Sequence, residues 1–320
     1  ATTTTDSDGE FSETSLALGW HSVTYSNSGY IDANVSALLD TDGQTTELET
    51  VRMLPDNCTN GTMSGTITDA VTGDNMSNVS LSIRSGVFEN LSPTDTQGFI
   101  TIEDAGGSTD SNGTWSIAAA PGWYTIKGAK SGYYTNHFNV YSCGNQADQN
   151  NSMSERLNEG EMRIMLSWPK TNPVTGTDLD SHLQIPDNAS STFHVQYPTS
   201  KRTFYYATNT YECPSCSSDQ LNDNVTIDKD DQTPPGDETI TISKVRSGTY
   251  SFSVHNITNR DNSSITNLRQ SRAKVRVIYC PVGADCSNQE EVFKKKFHVP
   301  NANGTLWRVF TFNSSDSGSG

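Results

Sequence analysis

The sequence predicts an all-β protein, two tandem β-sandwiches preceded by an extended N-terminal segment. Three observations predict it. Ser and Thr fill 79 of 320 positions, Gly adds 24, and only 32% of the residues are strongly hydrophobic, a composition suited to many short strands joined by turns. Apolar residues recur at every second position in windows bounded by turn residues. No amphipathic helical run of useful length interrupts them, and the chain is long enough for two cores.

Residues 1–26 open the chain. "ATTTTDSDGEFSE" is too polar to fold alone. In "TSLALGWHSVTY", Leu16, Leu18 and Trp20 alternate with Ala17 and Gly19. An alternating apolar strand outside a complete domain needs an acceptor, either its own chain's sheet or a neighbour's groove, as in donor-strand complementation. Insertion into a neighbour would be a heterologous contact that builds an open filament unless the rotation closes.

Residues 27–145 form the first expected domain. "YIDANVSALLD" and "QTTELETVRMLP" add strands to it. Val79, Leu81 and Ile83 fall on one strand face, as do Trp115 with Ile117 and Tyr124 with Ile126. Asn112-Gly113 is a hairpin signal. The polar stretch 146–160 reads as a linker. Residues 161–313 form the second domain, with strands at "MRIMLSWP", "STFHVQYP", "RTFYYATNTY", "DNVTIDKDD", "ETITISKV", "GTYSFSVHNI", "AKVRVIYC", "VFKKKFHVP" and "TLWRVFTF". Residues 314–320 are a tail.

The motifs "GTITDAVTG", "TDSNGTW" and "APGWYTIKGAKSGY", in that order over about 80 residues at 60–143, resemble the carboxypeptidase regulatory-like domains, close to transthyretin-like and collagen-adhesin B-type modules. The resemblance implies a small prealbumin-like or immunoglobulin-like sandwich used as spacer, stalk or docking unit, without an active site, in which Cys58 and Cys143 tie the first strand to the last. In the second domain, "LSWP", "DLDSHL", "FHVQY", "DKDD", "ETITI" and "GTYSFSVHN" resemble an uncharacterised sandwich module of secreted microbial proteins, at about 160–313.

The six cysteines are even in number and locally paired: Cys58 with Cys143, Cys213 with Cys216, Cys280 with Cys286. Disulfides in an oxidising compartment fit this best. A zinc ribbon is disfavoured by the 63-residue gap between the last two pairs, and a redox CxxC by the missing βαβ pattern. Fifteen pairings remain open.

Acceptor sequences for N-glycosylation occur at Asn34, Asn57, Asn60, Asn75, Asn78, Asn90, Asn112, Asn150, Asn188, Asn224, Asn256, Asn262, Asn303 and Asn313. Chance would give about seven. The chain also begins without an apolar leader, as expected of a mature secreted protein.

Net charge is −16 and no long basic patch offsets it, so nucleic acid is not an expected partner. The lysines of "EVFKKKFHV" read as charge protecting an exposed edge strand. With no apolar segment of 18 residues, no helical membrane span is expected.

The candidate chemistry lies in the second domain. In an extended strand Asp178, Asp180 and His182 share a face. With Asp228, Asp230, Asp231 and Glu238, the aspartates could surround calcium, and His182 and His194 would then hydrogen-bond carboxylates from a second layer or else signal zinc. His255 recurs nearby. The alternatives are an ion-free set of rim caps and a catalytic metal or acid–base pair. No sequence signature of a hydrolase, kinase or dinucleotide enzyme is present, so no catalytic residue is named.

These features predict a non-enzymatic, N-glycosylated extracellular structural protein. It would be the repeating subunit of a surface fibre, its partners copies of itself joined by N-terminal strand insertion. The alternative is a monomeric, calcium-dependent adhesin or carbohydrate-binding protein.

Overall fold

The structure is a computed structural model that describes residues 3–7, 9–43, 45–102, 107–169, 177–187, 191–197, 202–262 and 264–314. It is all-β, as the alternating windows require.

Strand β1 (Gly19–Tyr25) pairs antiparallel with β3 (Ala33–Leu39), while β2 (Tyr30–Ile31) pairs with β4 (Leu54–Pro55). Next come β5 (Gly61–Asp69), β6 (Ser80–Ser85), β7 (Val87–Glu89), β8 (Ile100–Thr101), β9 (Thr114–Ala119), β10 (Gly122–Ala129), β11 (Asn136–Ser142) and β12 (Asn151–Met153). Sheets β12-β5-β9 and β11-β10-β6-β8 enclose the first core. Met63, Leu81, Ile83, Trp115, Ile117, Ile126 and Phe138 fill it, so the period-two reading of these strands holds.

The first 54 residues build something other than extra strands of this sandwich. β1-β3-β7 is a sheet of its own, and its core of Ala33, Val35 and Val87 closes on Trp123 of β10. Trp123 Nε1 also donates to the Arg52 carbonyl at 3.0 Å. β1 is therefore housed in its own chain, and the donor-strand expectation narrows to the residues before Gly19.

Asn112-Gly113 makes a tight turn, closed by Asp110 N–H donating to the Thr114 carbonyl at 3.0 Å, but the expected hairpin does not follow. β9 pairs with β5 instead. Glycine is required here: at φ +71° a Cβ would lie 2.8 Å from both Ile67 O and Met76 N.

The stretch expected as a linker is packed. β12 runs parallel to β5, Ser154 and Leu157 are buried, and Tyr134 N–H donates to the Ser154 carbonyl at 3.0 Å. Polar composition misled because these polar groups are bonded inside the protein: buried Arg163 donates to Ser154 Oγ at 2.7 Å and the Glu155 carbonyl at 3.2 Å, and pairs with Glu161.

The second sandwich contains β13 (Met162–Trp168), β14 (Leu179–Pro186), β15 (Thr192–Gln196), β16 (Thr203–Tyr205), helix α1 (Ser218–Asn222), β17 (Asn224–Lys229), β18 (Gly236–Ile242), β19 (Gly248–Asn256), helix α2 (Asn267–Gln270), β20 (Lys274–Tyr279), β21 (Phe293–His298) and β22 (Leu306–Ser314). Its sheets are β16-β17-β18-β13-β20-β21 and β15-β14-β19-β22. β13 is buried on both faces, Ile164 and Leu166 toward the second core and Met165 toward Tyr134 and Leu157. A continuous apolar layer thus joins the two sandwiches.

Charge pairs flank that layer. Glu89 pairs with Lys296 at 2.9 Å, and Glu49 with Lys274. β21 is an edge strand as expected, but its lysines are only partly a solvated guard, because Lys296 pairs inward and Lys294 lies 5.1 Å over the Tyr134 ring. Disulfides join Cys58–Cys143, Cys213–Cys216 and Cys280–Cys286. The first links the approach to β5 with the exit from β11.

Candidate metal centre

Three carboxylates, those of Asp180, Asp230 and Glu238, meet at one rim of the second sandwich, with Asp178 near enough to feel their charge. Trp168, the last residue of β13, donates its Nε1–H to the Thr177 carbonyl at 3.1 Å and so anchors the entry to β14. Asp178 follows, its N–H bonded to Thr258 Oγ1 at 2.8 Å and its carbonyl to Ile257 N–H at 3.1 Å. The indole of Trp168 lies against Gly236, which starts β18 and brings in Glu238 two residues later.

Ladder geometry fixes Glu238. β14 pairs with β15 only from His182 onward, so the Ser181 amide faces no strand on that side. Glu238 Oε2 accepts from it at 2.6 Å, as a buried amide demands.

A β-bulge brings in Asp230. β17 pairs Ile227 with Ile240 and then Lys229 with Thr239, skipping Asp228. The extra residue shifts the strand by one place, which sets Asp230, rather than Lys229, alongside Glu238. Carboxylate oxygens of Asp180, Asp230 and Glu238 then lie within 4.8 Å of one another.

Burial and mutual repulsion hold these carboxyl groups above the usual carboxylate range. Burial, then the Asp230 charge, pushes Asp178 up to about 6. Burial, then Asp178 and Asp230, pushes Asp180 up to about 7. Asp230 is raised mainly by burial, and Glu238 rises well above the usual range for the same reason, with Asp230 and Asp180 adding to it. Glu238 is 2% exposed. Its Oε1, like Oδ1 of Asp178, is shielded from solvent with no hydrogen-bond partner among the described residues.

The other expected residues lie elsewhere. Asp228, the bulged residue, accepts from Thr241 Oγ1 at 2.5 Å. Asp231 accepts from the Asp237 N–H at 3.0 Å and pairs with Lys229 at 2.9 Å. That pairing, with a second to Asp237 at 3.6 Å, commits the Lys229 ammonium to other carboxylates. His182 and His194 do not form the expected bonds to carboxylates either: His182 Nδ1 lies 3.0 Å from His194 Nε2, and the His255 ring is 5.6 Å from that of His182.

The donor set suits a hard divalent cation. Calcium takes six to eight oxygens at about 2.3–2.6 Å, and Oδ1 of Asp178 and Oε1 of Glu238 are shielded with no geometric hydrogen-bond partner among the described residues. Asp180, Asp230 and Glu238 would hold it, with Asp178 beside them, and the ion would relieve their mutual repulsion.

The expected glycan sites divide by burial. Asn34, Asn57, Asn60, Asn75, Asn78, Asn90, Asn112, Asn150, Asn262, Asn303 and Asn313 are exposed, and Asn224 is half-buried. Asn188 lies outside the described residues. Asn256 is wholly buried, its side chain bonded to the backbone and side chain of Asn259.

No protein-family model and no curated protein matches this chain. Similar solved structures include a DUF3823 family protein from Bacteroides ovatus, at 9% identity over 79% of this chain and 98% of that one, TM-score 0.21. Another is the full-length major pilin SpaD from Corynebacterium diphtheriae, at 13% identity over 74% and 64%, TM-score 0.23. A third is the major pilin subunit BcpA of Bacillus cereus, at 11% over 77% and 68%, TM-score 0.24. At these values the matches say nothing about what this chain binds or joins.

Proposed function

We propose that the chain is a non-enzymatic, extracellular structural subunit that assembles head-to-tail through its N-terminal segment, with calcium stiffening the second sandwich. One observation carries this reading. Pairing of β1 with β3 stops at Gly19–Leu39, and the preceding residues 12–18 are all exposed. Leu16 and Leu18 are 43% and 59% exposed, and Trp20, at the start of β1, is 45% exposed. Leu16 and Leu18 are thus alternate apolar side chains outside the ladder, on a segment that turns at Ser15 (φ +60°) and whose Ala17 carbonyl lies 2.7 Å from His21 Nε2, so straightening it would give the form that adds a strand to another sheet.

Two further features fit a load-bearing unit. The sandwiches share a buried apolar layer flanked by ion pairs, which favours a rigid unit over beads on a string. Three disulfides and the many exposed acceptor asparagines suit an extracellular, N-glycosylated protein.

The test is assembly of the full chain against a chain lacking residues 1–18, followed by sedimentation velocity and negative-stain microscopy in calcium. Linear assemblies that grow with concentration are expected for the full chain, and monomers of unchanged Tm for the truncated one. A full chain that stays monomeric, or a truncated chain that assembles equally well, overturns the reading. The carboxylate rim also favours a second reading, a monomeric calcium-dependent adhesin, for which calcium-dependent glycan binding by that monomer would be the positive result.

A further inference from the structure

Half of the six histidines in the chain come to one patch, and none is used by the carboxylate rim. They stand on three adjacent strands. His194 of β15 is opposite Gln184, His255 of β19 is opposite Asp180, and His182 of β14 lies two residues from each of those positions. Both neighbours are therefore diagonal to His182 on the same sheet face. Leu179, Leu183, Val195, Phe252 and Val254 occupy the opposite face, in the core, so the imidazoles project outward. His194 is exposed, whereas His182 and His255 are half-buried.

The spacing is that of two ligands on one ion. His182 Nδ1 and His194 Nε2 are 3.0 Å apart. With zinc–nitrogen bonds of about 2.0–2.1 Å, that separation subtends about 95° at the metal, between the octahedral and tetrahedral angles. The rings are 5.0 Å apart between centroids, and His255 lies 5.6 Å from His182 at 65°, near enough to swing toward a shared ion. His182 Nε2 is shielded and has no hydrogen-bond partner among the described residues, so hydrogen bonding alone leaves this ring half satisfied.

We infer that the outer face of sheet β15-β14-β19-β22 carries a site for a divalent transition ion of the zinc class, ligated by His182 and His194 with His255 as the third imidazole. Imidazole nitrogen selects such ions over calcium, so this site and the carboxylate rim take different metals. An accessible His194 gives the ion a path from solvent.

The test uses the full, untagged chain, stripped with chelator and dialysed into excess calcium so that the carboxylate rim is filled. Zn2+ is titrated calorimetrically, and Co2+ is followed by its visible absorption. One equivalent of Zn2+ should bind, and Co2+ should show bands of nitrogen ligation. H194A, a change at an exposed position that leaves the core intact, should weaken Zn2+ binding about tenfold or more, as should H182A, while H21A, at a histidine on β1 away from the patch, leaves it unchanged. Absence of stoichiometric Zn2+ binding overturns the inference. So does binding that survives the H182A/H194A pair or is lost in H21A, either of which puts the ion elsewhere. The calcium rim is judged separately, by Ca2+ binding to E238Q, so the two readings can fail independently.

Discussion

Gly236 lies flat against the indole of Trp168. A Cβ on the glycine would fall 2.2 Å from Cζ2 and 2.5 Å from Cε2 of the ring. Trp168 is 1% exposed and its Nε1–H is committed to the Thr177 carbonyl, so the ring has nowhere to go. This contact sets the spacing between the entry to β14 and the start of β18, the two elements that bring Asp180 and Glu238 together.

G236A should therefore cost about 1–3 kcal/mol by overpacking. The loss is read as a fall in urea midpoint at constant m. Calcium affinity should fall with it, because the indole cannot yield without displacing Thr177 and Asp178. An unchanged midpoint would show that the rim tolerates expansion.

The carboxylate rim makes calcium-free stability depend on pH. Asp180 titrates near 7 in the folded chain against an ordinary value of 3.8, through burial first and then Asp178 and Asp230. The sign follows from linkage: its contribution favours folding at low pH and is lost as pH rises from about 4 through about 7. Histidines with lowered values, such as His182, act oppositely below about 6.5, so the comparison must isolate Asp180. In EGTA at pH 8, D180N should melt higher than the native chain by about 2–4 °C or more, with the gap closing toward pH 5. In saturating calcium the order should reverse, because the variant loses a ligand. Differential scanning calorimetry at pH 5, 6.5 and 8 reads both effects.

When the chain is secreted from a host that N-glycosylates, peptide mass spectrometry should find glycan at exposed positions such as Asn112 and Asn303. Asn256 should be bare despite its Asn-Ile-Thr sequence. It is 0% exposed, and its Oδ1 accepts from the Asn259 N–H at 3.2 Å. Occupancy at Asn256 would mean that the glycan is added before the strand closes and that the fold then rearranges around it.

The disulfides should contribute unequally. Cys58–Cys143 closes a sequence separation of 85 residues and Cys213–Cys216 one of 3. Loop-closure entropy assigns about 4.5 kcal/mol to the first and less than half of that to the second. C58S/C143S should lower the urea midpoint strongly, and C213S/C216S only slightly. Equal effects would point to strain or residual structure as the controlling factor.

Removing Glu89 should loosen the junction of the sandwiches. Its carboxylate, raised mainly by burial, is paired with Lys296. Deleting one partner of a buried pair costs about 3–5 kcal/mol, because the other charge is left without its counter-ion. E89A should show this in thermal melting, while the double change E89M/K296M should recover most of it.

By itself the sequence determined the strands and their faces. Period-two alternation in "NVSLSI" and "GTWSI" is enough to say that Val79, Leu81, Ile83, Trp115 and Ile117 point inward, because burying one side of a pleat leaves no other register. For the same reason it placed the polar face of "DLDSHL" and named Asp178, Asp180, Asp230 and Glu238. Only the tertiary structure decided which of these groups meet. The bulge that skips Asp228 and turns Asp231 toward Lys229, the unpaired Ser181 amide that fixes Glu238, the turning of His182 toward His194 and the burial of Asn256 all depend on where distant strands start and stop pairing. That is set by long-range packing, to which local alternation is blind. The same holds for residues 146–160, whose polar composition reads as a linker until Arg163, Tyr134 and β5 provide the partners that bury it.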